Sequence, residues 1–216
     1  MKSLNDVLMV AENELGNTEY PPKSNKTKYG EAYGLNGYYW CMIFLWWVFR
    51  EAGQSSAFFG GAKTASCGTY LRWCKEQGML VPFKDIQPGD IVILNFSGTQ
   101  DTEHCGLVTY VVNEEWVQTI EGNTSPGSEG SQDNGGCVAK KLRNRKNVIA
   151  VCRPMYSEDK IPDYIGHWAE NDIRWAIDQG IMKGYDDGDF RPDKFLTRAE
   201  FVTVLRRIFD KNGGLE

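Results

Sequence analysis

From Trp40 to Ala52 the chain is apolar nearly all round at helical length, beginning Trp40-Cys41-Met42-Ile43-Phe44-Leu45-Trp46-Trp47 and stopping at Gly53. A helix without a polar face belongs inside a protein, so the remaining chain has to cover it on every side. The material is available: 41% of the 216 residues are hydrophobic and 12% aromatic, enough for a true core. Upstream, Leu4, Val7, Leu8, Ala11 and Leu15 recur at helical spacing, with Ser3 as a cap and Gly16 as a stop. The stretch 17–37, rich in Pro, Gly, Asn and Tyr, predicts a loop that delivers the chain to Cys41, and a further helix is predicted over 65–77. After Pro88-Gly89-Asp90 the pattern changes to short β-rich runs at 91–94, 106–112, 116–121, 137–142 and 148–153, separated by Gly, Asn, Ser and Asp clusters. These runs predict an antiparallel sheet. Helices first and strands afterwards define an α+β domain in which the apolar helix packs on the sheet.

A net charge of −5 without a basic stripe argues against a nucleic-acid partner. No run approaches the roughly 20 apolar residues of a membrane span, so no membrane partner is expected. The first residues, Met1-Lys2-Ser3-Leu4-Asn5-Asp6, lack a signal-peptide pattern, which predicts synthesis in the cytoplasm. Six irregularly spaced cysteines (41, 67, 74, 105, 137, 152) read as reduced thiols rather than a disulfide framework. No Cys-x-x-Cys or paired-His spacing supports a metal site, and neither a metal nor a cofactor is predicted.

Only two histidines occur, His104 and His167, which restricts any cysteine–histidine chemistry. Cys41 opens the apolar helix, where the helix dipole and unpaired N–H groups favour a thiolate. His104 begins a strand-like run, and Glu121 and Asn123 stand where the next strand ends. A thiol hydrolase needs this division of labour: a nucleophile, a base, and a third group that fixes the tautomer of the base and stabilises its cation. The Cys41 backbone N–H, with Tyr29 or Asn36 from the preceding loop, supplies oxyanion candidates. Each residue alone has an ordinary reading, a buried cysteine as a small hydrophobe and Glu121-Gly122-Asn123 as a turn. Their joint occurrence, each at the edge of the proper element, carries the assignment.

The series Asn25-Lys26-Thr27-Lys28-Tyr29-Gly30, Tyr33-Gly34-Leu35-Asn36-Gly37-Tyr38-Tyr39-Trp40-Cys41, Pro88-Gly89-Asp90-Ile91-Val92, His104-Cys105-Gly106-Leu107-Val108 and Glu121-Gly122-Asn123 resembles a CHAP domain over about residues 3–153. That family comprises cysteine, histidine-dependent amidohydrolases and peptidases that cut bacterial peptidoglycan. The resemblance implies a papain-like fold with Cys41 as nucleophile, His104 as base, and Glu121 and Asn123 holding the imidazole. Met42 and the Trp46-Trp47 pair depart from the smaller residues usual in the family's helix. Some relatives bind calcium before the cysteine, but Glu31 is the only acid between Asn25 and Trp40, so no calcium is expected there.

Beyond this domain, placed at 1–154, residues 155–160 read as a polar linker and 161–216 as a unit of their own. Residues 161–170, Ala176 to Tyr185, Phe190-Arg191-Pro192-Asp193 and Leu196-Thr197-Arg198-Ala199-Glu200-Phe201 resemble a surface-layer homology (SLH) repeat, a small helical module. Physically it reads as two amphipathic helices, one with Trp168, Ile173, Ala176 and Ile177, the other with Phe201, Val204, Leu205 and Ile208 and a Thr197/Glu200 capping box. The resemblance implies secondary cell-wall polysaccharide as a partner, with Arg198 pairing charge and Asp163, Trp168 and Gly184 lining the groove. Asp186-Asp187-Gly188-Asp189 lacks the ligand spacing of an EF-hand and reads as a turn. Such repeats normally come in threes, and this chain carries one, so three chains are expected to associate as a homotrimer.

Together these resemblances imply a peptidoglycan hydrolase, either an N-acetylmuramoyl-L-alanine amidase or a stem or cross-bridge endopeptidase. It would be made in the cytoplasm and act at the bacterial wall as a phage endolysin, or as a secreted autolysin if a leader was removed. A non-catalytic wall-binding protein is the first alternative, opposed by the intact Cys41, His104, Glu121 and Asn123. A cysteine protease of protein substrates is the second, opposed by the wall-directed repeat.

Overall fold

The computed structural model describes residues 4–127, 130–156, 163–164, 167–185 and 189–211. They fall into two compact units, Met1–Glu158 and Asp159–Glu216. The Ser3 cap, residues 157–160 of the expected linker and residues 186–188 of the acidic cluster lie outside the described residues.

In the first unit the helices are α1 (Leu4–Asn13), α2 (Lys28–Tyr33), α3 (Cys41–Glu51) and α4 (Cys67–Glu76). The strands follow: β1 (Leu80–Val81), β2 (Ile91–Leu94), β3 (His104–Val111), β4 (Trp116–Thr124), β5 (Cys137–Asn144) and β6 (Val148–Cys152). They form one antiparallel sheet in the order β1-β6-β2-β3-β4-β5. The class is α+β, and each of the five expected strands is present. Helix α2 breaks the expected 17–37 loop. Its signal is local: Thr27 Oγ1 accepts from the Gly30 N–H at 3.0 Å, and Gly34, at φ 87°, closes the other end in the left-handed conformation.

Helix α3 has the environment its composition demands. Residues 41–46, 48 and 49 are buried, and only its last residues, Arg50 and Glu51, are exposed. It lies on β3 and β4 and is flanked by α1 and α2. Tyr29 from α2 stacks on Trp40 with ring centroids 5.4 Å apart and meets Phe44 edge-on at 5.2 Å. The helix reaches the sheet at one glycine: a Cβ on Gly122 would come within 2.5 Å of Phe44 Cβ and 2.8 Å of the Trp40 ring. The other sheet face has its own cluster of Val92, Leu94, Val108, Val117 and Val151.

The Pro88-Gly89-Asp90 turn is pinned to the chain end of this unit. Gly89 has φ 93°, and its carbonyl accepts a 2.5 Å hydrogen bond from the Tyr156 hydroxyl. Asp90 accepts from Arg153 Nε at 2.9 Å and from the Gln87 N–H at 2.9 Å. Tyr156 also stacks on Phe49, so Tyr156 packs with the first unit, while Met155 before it is exposed.

The second unit contains α5 (Glu170–Asp178) and α6 (Arg198–Lys211). The capping box forms: Glu200 N–H donates to Thr197 Oγ1 at 3.2 Å, and Thr197 N–H donates to Glu200 Oε2 at 2.8 Å. Ile173, Ala176 and Ile181 are buried. Trp168 departs from expectation: it precedes α5 and is 89% exposed, because two short helices offer too little surface to cover it.

Replacement of Gly122 by alanine is expected to drive α3 off the sheet and cost about 1–3 kcal/mol. The urea midpoint of unfolding measures this, and an unchanged midpoint would show that the contact yields without cost.

Candidate active site

Cys41 is the first residue of α3, and its N-cap, Trp40, makes no side-chain hydrogen bond to the first turn. The N–H groups and positive end of the helix are therefore left to whatever stands at that terminus. The Cys105 thiol and then the Cys67 thiol, joined by the charge of His104, outweigh burial and hold Cys41 well below the usual thiol range. Cys67 Sγ is 3.8 Å from Cys41 Sγ. Burial, then the Cys41 sulfur, pushes Cys105 well above that range. Of the three sulfurs, Cys41 is thus the one whose thiol is most readily deprotonated.

His104 opens β3 and is wholly buried. Its Nε2 stands 3.0 Å from Glu121 Oε2. Burial alone would lower the imidazole pKa, but Cys41 and Glu121 override it and raise it to about 9. Nε2 is taken by Glu121, and Nδ1 is buried without a hydrogen-bond partner. Glu121 is held in turn. Burial would raise its carboxyl pKa, but Arg143 and then His104 bring it down to about 2. Arg143 grips the carboxylate with both arms, Nε to Oε1 at 2.7 Å and Nη2 to Oε2 at 2.5 Å, and Thr119 Oγ1 donates to Oε1 at 2.5 Å. Phe96 lies over this relay, with its ring 4.8 Å from the Arg143 guanidinium and 6.2 Å from the His104 ring.

Two glycines of the sequence motifs acquire a reason. Gly122 admits α3, as above, and a Cβ on Gly106 would lie 2.8 Å from Glu121 Cγ, so Gly106 makes room for the carboxylate. Of the two residues expected to orient His104, Glu121 hydrogen-bonds it. Asn123 adopts φ 60° at a bulge of β4, and its Oδ1 accepts from the Gly136 N–H at 3.3 Å. The oxyanion candidates have other partners. Tyr29 donates its hydroxyl to Glu14 at 2.6 Å, and Asn36 Oδ1 accepts the Thr27 N–H at 2.9 Å, so both brace the loop before α3. Arg143 was not found from the sequence. Its one signal is the alternation of Lys141 and Arg143 along β5, and the register that sets this face of β5 beside Thr119 and Glu121 is a property of the folded sheet.

The CHAP domain family model matches residues 33–123, and the S-layer homology domain model matches residues 160–202. The chain joins a CHAP domain to an SLH domain. Similar proteins include cell surface glycoprotein 1 of Acetivibrio thermocellus, 50% identical over 50 residues that make up 23% of this chain and 2% of that one. The cellulosome-anchoring protein of the same organism is 46% identical over 50 residues, 23% of this chain and 11% of that one. The S-layer protein sap of Bacillus anthracis is 37% identical over 65 residues, 29% and 8% of the two chains. The chain therefore spans only a small fraction of the length of these relatives. Among solved structures, the wild-type endolysin LysIME-EF1 is similar with a TM-score of 0.43 at 17% identity, covering 73% of this chain and 67% of that one.

In the SLH domain an open pocket of about 850 Å³ lies between the helices. Trp168 and Gly184 line it; Asp163 and Arg198 are not among its lining residues. Asp163 instead accepts the Phe190 and Arg191 N–H groups at 2.8 and 2.6 Å and fastens the loop before α6, while Arg198 is exposed at the start of that helix. The basic groups that do reach the pocket are Lys183, Arg191, Lys194 and Arg207, against the acids Asp172 and Glu200. His167 Nε2 is 3.3 Å from Asp193, a contact within the SLH domain.

Arg143→Met keeps the apolar stem and removes the charge, leaving Glu121 buried and unpaired, with an expected loss of about 3–5 kcal/mol. Arg143→Lys, which restores charge without the two-armed grip, is expected to recover only part of it. Equal urea midpoints for wild type and Arg143→Met would remove the relay from the list of structural necessities.

Proposed function

We propose that this chain is a peptidoglycan hydrolase whose CHAP domain cleaves an amide bond through Cys41 and whose SLH domain holds it on secondary cell-wall polysaccharide. The observation that carries the reading is the relay in the first unit: a thiol at the open end of a buried helix beside an imidazole whose far nitrogen is fixed by a buried carboxylate–arginine pair. Amide cleavage by a thiol calls for these parts in this order. The Cys41 thiolate attacks the carbonyl carbon, and the oxygen takes up negative charge at the α3 terminus, where the Cys41 N–H has no intrahelical acceptor. His104 gives its Nδ1 proton to the departing amine as the carbon–nitrogen bond breaks, which leaves a thioester. It then takes a proton from water, whose oxygen displaces Cys41 and releases the carboxylic acid. Throughout, Glu121 and Arg143 hold the ring and balance its charge. The bond cut lies in the stem peptide, in the cross-bridge, or at the junction of stem and glycan.

The wall-directed half of the proposal is supported by the surface and anchoring names of the SLH relatives and by the basic rim of the SLH pocket. Acting at the wall, such a protein serves as an endolysin or as an autolysin. Trp168 at 89% and Phe195 at 94% exposure leave the lone repeat with uncovered aromatic surface, and three chains associating through it would cover that surface.

Purified Gram-positive walls digested with wild type are expected to release fragments whose masses separate amidase from endopeptidase cleavage. Cys41→Ala is expected to lower the rate about 10³-fold or more. An inert wild type that still sediments with walls would turn the reading to a binding protein. Light scattering is expected to give the mass of three chains, and a strict monomer at high concentration would refute the association.

A further inference from the structure

Cys41 is not alone at the end of its helix. Cys67 is the first residue of α4, and Cys105 is the second residue of β3. The three sulfurs lie within 4.8 Å of one another, and Cys41 and Cys67 are 3.8 Å apart. All three side chains are buried, at 5%, 7% and 0% exposure. Two thiolates on one tetrahedral zinc, each about 2.3 Å from the metal, stand about 3.8 Å apart. The Cys41–Cys67 pair therefore already has the spacing that a thiolate-bound metal would impose, and the Cys105 sulfur lies within 4.8 Å of both. His104, beside Cys105 in β3, adds a buried Nδ1 without a hydrogen-bond partner.

We infer that Cys41, Cys67 and Cys105 form a three-thiolate site for a thiophilic d10 metal ion, of the Zn²⁺ class, and that filling the site silences the nucleophile. Sulfur donors select such ions over Mg²⁺ and Ca²⁺. Each thiol that binds gives up its proton to solvent as a metal–sulfur bond forms, and no oxidant or reductant is involved. A sulfur bonded to the ion cannot attack a carbonyl, so the bound form is inactive and a chelator restores activity. Cys41, Cys67 and Cys105 come from three separate elements, so the folded domain brings them together before the metal arrives, and little reorganisation is needed on binding.

The inhibition rests on the hydrolase reading above, whereas the metal binding does not, and the experiment separates the two. The full chain, kept reduced by a phosphine, is titrated with Zn²⁺ against a chromophoric chelator, and the complex is weighed by native mass spectrometry. One Zn²⁺ per chain is expected. Cys67→Ser and Cys105→Ser should each weaken it by more than the roughly 10–100-fold typical of losing an outer-shell partner. Cys137→Ser is the control: its thiol donates to the Thr124 carbonyl, which a hydroxyl also does, and its affinity should match wild type. Cd²⁺ should add a sulfur-to-metal charge-transfer band that Cys67→Ser diminishes, even if that variant is less stable. Wall digestion should stop at one equivalent of Zn²⁺ and return with chelator. Absence of binding, or binding indifferent to Cys67 and Cys105, overturns the site while leaving the hydrolase reading intact. Stoichiometric cysteine-dependent binding by a protein that digests no wall sinks the hydrolase reading and leaves the site. Recovery of a Cys41–Cys67 disulfide under the reducing conditions, with no metal bound, would also overturn it.

Discussion

Everything in the first unit depends on covering a helix that has no polar side. Helix α3 gains its stability from burial of Met42, Ile43, Phe44, Leu45 and Val48, each worth about 1.5–3 kcal/mol when removed from water. That demand places α1 and α2 around it and the sheet beneath it. It also fixes where the helix begins. Trp40, wedged against Tyr29, sets the first turn, and the residue that follows is Cys41. The position of Cys41 is thus a consequence of core packing, and Gly122 sets how closely the helix end approaches the strands that carry His104 and Glu121.

Against this apolar layer stands a buried ionic relay. Glu121 has no exposure, and a lone carboxylate there would be untenable. Arg143 makes it possible by meeting both oxygens, and the pair then fixes Nε2 of His104. Buried ion pairs contribute little net stability compared with apolar packing. Here the pair holds one imidazole in one orientation, through Nε2. The same enclosure gathers the sulfurs of Cys41, Cys67 and Cys105 within 4.8 Å of one another.

The SLH domain follows a different balance. A unit of two helices cannot bury its own aromatic residues, and Trp168, Trp175 and Phe195 remain in solvent. In a larger domain that surface would be a liability. Here it borders a pocket with four basic residues, where exposed rings and cations together offer a surface for an anionic polymer or for further copies of the repeat.

The α+β class, the apolar helix, the five main strands and the pairing of His104 with Glu121 were legible in one dimension, because each rests on periodicity or on short motifs within single elements. Helix α2 was obscured by its Gly- and Pro-rich neighbours, although the Thr27 cap was present in the sequence. Other features lay beyond reach for a common reason: they are contacts between residues far apart in the chain. Arg143 meets Glu121 through strand register, and Cys67 meets Cys41 through the packing of two helix ends. Tyr29 and Asn36 show the converse, since proximity to the nucleophile in sequence suggested oxyanion donors while their hydrogen bonds brace the loop. Side-chain chemistry and local periodicity are written along the chain. Which polar groups share a buried space is set by how the elements stack, and stacking is decided by the cover that α3 requires.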